Sequence, residues 1–227
     1  MGARRILGCT VLSAALALPA AGEPLVCADA SLSVEGGAPA AAELACRYAA
    51  EAKSVIEACG LVQTRPIRIE LVAALDHGFG LCLGAWDCEA GVIRVVAPDH
   101  LAGTVALEPP YSLFPTEVLF RALIAHELAH ALLSQAGEGV EFAFADQEYV
   151  AAVMELETMA PEWREVYIAA APVGLPPKPG LISPMIYGFA PRKFAVNAWK
   201  FFRAEPDGCA RVREIAAGTF SFGDLPR

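Results

Sequence analysis

Histidine is scarce in this chain, with four in 227 residues. Positive charge is also short: 17 Lys and Arg stand against 26 Asp and Glu, for a net charge of −9. That balance excludes the basic footprint of a nucleic-acid binder or of a protein that seeks anionic membranes. No Cys-x-x-Cys spacing occurs, so the usual cysteine zinc sites are absent. There is no internal repeat and no low-complexity tract beyond alanine richness. The apolar stretch Val118 to Leu133 is broken by Arg121, His126, Glu127 and His130, so it does not read as a membrane span.

What is abundant is apolar matter. Apolar residues make up 56% of the chain, and mean hydropathy is +0.44. A chain of this length builds one domain of moderate size with a substantial core.

Part of that hydropathy sits at the start. Arg4 and Arg5 precede an apolar stretch from Ile6 to Leu18, and Pro19-Ala20-Ala21-Gly22 gives a small-residue exit. Residues 1–22 read as a secretory signal peptide, cleaved near Ala21 or Gly22. The apolar stretch is shorter than the ~20 residues of a membrane span, so no stable anchor is expected after cleavage. The mature chain, 23–227, is then periplasmic or secreted. Export makes the cysteines legible. Of seven, Cys9 leaves with the leader, and Cys27, Cys46, Cys59, Cys82, Cys88 and Cys209 remain. An oxidising compartment favours pairing them as disulfides. Cys82 and Cys88 are the safest local pair, because the short Leu-Gly-Ala-Trp-Asp segment between them can bend back.

The pattern along the chain is strand and helix in succession. Ala40 to Cys59 reads as a helix ended by Gly60. Ile67 to Ala73 alternates with period two and reads as a strand. Phe79 to Gly84 and Val92 to Ala97 read as two more strands. Residues 98–115 read as a proline-broken loop. Thr116 is placed to cap a helix that runs to Ala136 and stops at Gly137. A further helix covers Phe144 to Met159. An extended proline-rich stretch follows, then helices opening at Pro191 and at Asp207. A helix-and-sheet part (38–100), two central helices (116–160) and a mostly helical C-terminal part (161–227) are therefore expected within one domain.

The helix from Thr116 is apolar almost all round, as in a buried central helix. Yet His126, Glu127 and His130 lie inside it as His-Glu-x-x-His. Positions i and i+4 stack on one helix face, so both imidazoles can reach one metal ion. Glu127 sits beside that face, where its carboxylate can bond a water on the metal. Two ligands and a base are most of a zinc hydrolase site. Buried polar groups need partners, and a metal would supply one.

Catalytic zinc takes a third protein ligand. Metzincin peptidases continue with glycine and then histidine, where this chain has Leu133 and Ala136, and no histidine follows His130. A carboxylate is the natural third ligand: Glu138, Glu141, Asp146, Glu148, Glu155 or Glu157. Glu138 and Glu141 follow the helix too closely to fold back. Glu148 lies on the next helix, where Ala151 and Ala152 permit close approach to the first.

At this point the chain resembles the zincin superfamily, and within it the gluzincins, in which a glutamate on the following helix completes the site. It is also similar to exported zincin-like proteins of proteobacteria. The resemblance implies an α+β fold: a small, mainly antiparallel sheet packed on the buried His-Glu-x-x-His helix, followed by a mostly helical C-terminal part. It implies Zn²⁺ held by His126, His130 and Glu148, with Asp146 as second choice, and Glu127 as the base in hydrolysis of a peptide or protein substrate. Many gluzincins carry an aspartate shortly after the ligand glutamate to orient a histidine. Here Ala151, Ala152 and Val153 stand there, so that partner is unassigned. Tyr187, Tyr167, Tyr149 and His100 are candidates to bond the oxyanion, Tyr187 foremost as a catalytic residue. The strand Val92 to Val96 is expected to border the cleft and pair with an extended peptide. His77 and His100 read as turn or loop residues. The alternative reading is a non-catalytic exported module whose metal is structural or which binds a partner protein.

Overall fold

A computed structural model describes residues 23–77, 80–104 and 109–224 of the chain. The leader expected at 1–22 lies outside the described residues.

The main sheet has five strands: β1 (Leu25–Val26), β2 (Leu32–Gly36), β3 (Ile67–Val72), β6 (Gly84–Asp87) and β7 (Val92–Val96). Their order is β1-β2-β3-β7-β6. A separate hairpin pairs β4 (Leu75–His77) with β5 (Gly80–Cys82). Ile67, Ile69 and Leu71 of β3 point into the core, while Arg68 and Glu70 alternate outward. On that outer side Arg94 joins Glu70 and Asp87, each at 3.0 Å.

Two expectations for the sheet fail. It is mixed rather than mainly antiparallel, since β3 runs parallel to both β2 and β7. Parallel neighbours need a crossover, and the helix α1 (Pro39–Ala58) supplies the one from β2 to β3. The strand Val92–Val96 is also not at the edge. It lies between β3 and β6, and four of its five residues are buried. A run buried on both faces is the mark of an interior strand. The edge is β6, antiparallel to β7.

The helices follow the expected order with additions. α2 (Pro98–Thr104) and a 3-10 turn at Tyr111–Leu113 occupy the segment read as loop. α3 (Thr116–Ala136) is the central helix, with thirteen of its side chains buried. Pro115, not Thr116, holds its N-cap position, so Thr116 is its first residue. α4 (Phe144–Thr158) packs along α3, and its Ala145, Ala151 and Ala152 are buried there. α5 (Pro161–Ala170), α6 (Pro184–Phe189), α7 (Pro191–Ala204) and α8 (Gly208–Ala216) complete the C-terminal part. Prolines start α5, α6 and α7 at the first helical turn, where a missing N–H has no cost. The fold is thus α+β and mostly helical.

Two disulfides are present, Cys27–Cys46 and Cys59–Cys209. Cys82 and Cys88 are free, contrary to the expected local pair. The reason is β6. The segment between them is extended, rising about 3.3 Å per residue, so it carries the two thiols apart instead of bending back. Among the described residues no helix is long and apolar enough to cross a membrane.

Candidate metal centre and cleft

α3 and α4 bring three of the expected residues together. His126 and His130 stand one helical turn apart, with their Nε2 atoms 3.3 Å from each other. Glu148 comes from α4 and straddles them: Oε2 is 3.6 Å from His126 Nε2, and Oε1 is 3.7 Å from His130 Nε2. The small side chains of α4 let the two helices approach closely enough for this. His126, His130 and Glu148 form a group that can hold a metal ion.

The donors fit that role. Glu148 Oε2 is buried and has no hydrogen-bond partner, a costly state that a cation would relieve. Glu155 Oε2 lies 3.1 Å from His126 Nδ1. The Glu155 carboxylate accepts from the Nδ1–H, which turns Nε2 toward Glu148 and His130. Glu155 is therefore the orienting carboxylate that the residues just after Glu148 do not provide. It sits two turns beyond Glu148 on the same helix face, and its other oxygen accepts from Tyr111 Oη at 2.9 Å.

The charges are strongly coupled. Burial pushes Glu127 up to about 7, against the pull of His126 and with a further push from Glu148 and Glu155. Burial and the charge of His126 take His130 down to about 4. At His126 burial works downward, but its bonds to Glu148 and Glu155 outweigh it and raise the imidazole well above its usual value. His126 lowers Glu148 despite the burial of that carboxyl.

The Glu127 side chain lies against the edge strand β6. A Cβ on Gly84 would lie 2.7 Å from Glu127 Oε1 and 2.8 Å from its Cγ, so a side chain at this point of β6 would displace Glu127. The Trp86 backbone N–H bonds the same carboxylate. His126 and Glu127 open onto a cavity of about 620 Å³ whose walls include Cys82, Tyr111, Glu155, Tyr167, Tyr187 and Arg192.

Of the four proposed oxyanion donors, only Tyr187 stands beside Glu148. Burial and the charge of Glu148 push its phenol up, so it remains a proton donor. Its ring is wedged between Phe144 and Phe194, with centroids 5.1 and 5.4 Å away. Tyr167 is part of an aromatic cluster with Tyr111 and Phe114 at the cavity wall. Tyr149 packs on Phe222 and Phe201 on another side of α4. His100 is exposed on α2, 3.8 Å from Asp99. His77 closes β4, and its side chain lies outside the described residues.

The other carboxylates are engaged elsewhere. Asp146 accepts from Ser221 Oγ at 2.7 Å and from the Phe222 N–H at 2.8 Å, which ties the C-terminal turn to α4. Glu157 accepts from Trp199 Nε1 at 2.7 Å, and Glu138 pairs with Arg65 at the surface. Two contributors carried no motif: Gly84, and the Tyr111 to Glu155 bond. The only signal for Glu155 was a carboxylate seven positions after Glu148 on an apolar helix, which puts both on one face.

No curated protein and no solved structure matches the chain. The model of one protein family matches residues 32–224, from β2 to the end of the described chain. The chain belongs to that family, DUF6639, a family of unknown function.

Proposed function

We propose that the chain is an exported zinc-dependent metallopeptidase. The observation that carries the reading is the His126, His130 and Glu148 group with Glu127 beside it at the wall of an open cavity. Two nitrogens and one carboxylate are the donor set of a catalytic zinc with one position left for water or substrate. A tetrahedral zinc with bonds of about 2.0–2.1 Å spaces its ligands by about 3.3–3.4 Å. The donor separations of 3.3, 3.6 and 3.7 Å come close to that. The two disulfides suit an oxidising compartment.

Zinc at this site would supply an activated water and an electrophile for the scissile carbonyl. The protein's own residues do the rest. Glu127, raised to about 7, takes the proton of the attacking water and returns it to the leaving amine. Tyr187, kept protonated, offers a hydrogen bond to the developing oxyanion. Glu155 fixes the tautomer and direction of His126. The outer edge of β6, next to Glu127, offers backbone groups to an extended peptide.

The test is Glu127→Gln in zinc-loaded protein. Peptide hydrolysis is expected to fall by on the order of 10²–10⁴-fold while one zinc per chain stays bound. Equal turnover with zinc retained would make the metal structural and the chain a non-catalytic module.

A further inference from the structure

Arg192 lies in the wall of the same cavity, at the first turn of α7. Its guanidinium stacks on the ring of Tyr111, with Cζ 3.7 Å from the centroid. It also bonds the Tyr167 hydroxyl. A guanidinium stays charged in any protein setting. A cation this far from bulk water normally has a carboxylate against it. Arg211, also partly buried, follows that rule with Glu205 and Glu214, whereas Arg164 stacks on Trp199 and spends an N–H on the Leu156 carbonyl. Arg192 has no carboxylate within ion-pair distance among the described residues. Glu155 acts on Arg192 through space, but its oxygens are turned to Tyr111 Oη and His126 Nδ1 and it forms no ion pair with the guanidinium. Stacking on Tyr111 uses the face of the guanidinium and leaves its N–H edge for a partner in the plane. The planar fork of donors matches a carboxylate.

We propose that Arg192 holds a carboxylate of the substrate, so that the cavity selects peptides with a negative charge close to the bond that is cut. The proposal rests on the metallopeptidase reading for the word substrate, but the anion site can be tested without turnover. The carboxylate is either the C-terminus of the peptide or an acidic side chain. Both bring the same chemistry to the guanidinium, and they would make the protein a C-terminal exopeptidase or an acid-selective endopeptidase respectively. Two carboxylates already line this space, Glu127 and Glu155, so an anion without Arg192 would be repelled. The role is in specificity, as Arg192 touches none of His126, His130 and Glu148.

The experiment uses the full zinc-loaded chain carrying Glu127→Gln, so that probes survive. Three probes are titrated calorimetrically: acetyl-Phe-Ala with a free C-terminus, acetyl-Phe-Ala-amide, and acetyl-Phe-Glu-amide. At least one anionic probe is expected to bind on the order of ten- to a hundredfold more tightly than the neutral amide. Which one is tighter tells terminal from side-chain carboxylate. Adding Arg192→Gln is expected to erase that preference, and Arg192→Lys to keep part of it, with bound zinc and melting temperature checked in both. Because zinc is present throughout, a carboxylate that merely ligates the metal keeps its advantage in Arg192→Gln, and that result overturns the proposal. Equal binding of all three probes, or binding of none, overturns it too. A wild-type chain that cuts no peptide in a mixed library while the preference persists would end the peptidase reading and leave the anion site standing.

Discussion

Glu155 Oε2 lies 3.1 Å from His126 Nδ1, on the far side of the imidazole from the nitrogen that faces Glu148. The bond joins the fourth turn of α4 to the His126 face of α3. It fixes both the ring angle and the tautomer. Glu155→Gln keeps a polar group of the same shape but removes the charge. Metal affinity, measured by competition with a chromogenic chelator, is expected to fall about 10–100-fold. Tyr111→Phe removes only the hydrogen bond behind Glu155, so a smaller loss in the same direction is expected. An unchanged affinity in Glu155→Gln would show that the helix alone directs His126.

The second prediction concerns Gly84. Any side chain there meets the carboxylate of Glu127 at 2.7 Å. Gly84 has an ordinary negative φ, so alanine does not strain the backbone itself. Gly84→Ala is therefore expected to leave the fold and the bound metal in place and to push Glu127 off its position. Misplacing a catalytic group by about 1 Å can cost on the order of 10²-fold in rate. The expected outcome is a fall in kcat for peptide hydrolysis with zinc content unchanged. A loss of zinc instead would mean that β6 supports the ligands and not the base.

The sequence was most legible where one helix face carries the chemistry. His126, Glu127 and His130 follow from a five-residue pattern, while the choice of Glu148 among the following carboxylates comes from the resemblance to gluzincins, with small neighbours on the next helix in its favour. The boundaries of α3 were clear because Pro115 and Gly137 flank it, and the end of α4 because Pro161 follows it. The sheet was harder. A strand of six residues or fewer reads the same whether its neighbour is parallel or antiparallel, so β2, β3 and β7 gave no sign of their mixed pairing. Edge and interior differ only in burial, and Val92 to Val96, apolar except for Arg94, was misplaced for that reason. Gly84 and Glu155 were missed because their roles are long-range. A glycine gives no sign of which side chain will approach it, and Glu155 serves a ligand on another helix.

Cysteine chemistry gives a third prediction. Two disulfides leave Cys82 and Cys88 as thiols, with Cys88 exposed and Cys82 half-buried beside Glu127. Burial, with the charge of Glu127, pushes the Cys82 thiol up, so it holds little thiolate at neutral pH. Alkylation of the native, unreduced protein is expected to label Cys88 quickly and Cys82 slowly. Peptide mapping reads both. A Cys82–Cys88 cross-link in that map would contradict the extended β6 and restore the local pairing.

The last prediction is a pH dependence of stability located away from the His126, His130 and Glu148 group. Asp29, in the turn between β1 and β2, accepts from Lys53 Nζ at 2.6 Å and from the Ser31 N–H and hydroxyl at 3.0 and 2.6 Å. The Lys53 ammonium is the largest influence, and with Ser31 it holds the Asp29 carboxyl down to about 2. The unfolded chain has no such partner, and its aspartate titrates near 3.9. Below that value the unfolded state binds a proton that the folded state refuses, so acid favours unfolding. The contribution of this contact is therefore complete above about pH 4 and disappears as pH falls toward about 2. Asp29 is a third exposed, so the effect is a modest one. Melting temperature is expected to drop less steeply between pH 4 and pH 2 in Lys53→Met than in the wild type, because the variant has already lost the contact at neutral pH. Parallel curves for the two proteins across that window would mean that Lys53 does not hold Asp29 in solution, and that α1 is tied to the β1–β2 turn by the Cys27–Cys46 disulfide without help from the ion pair.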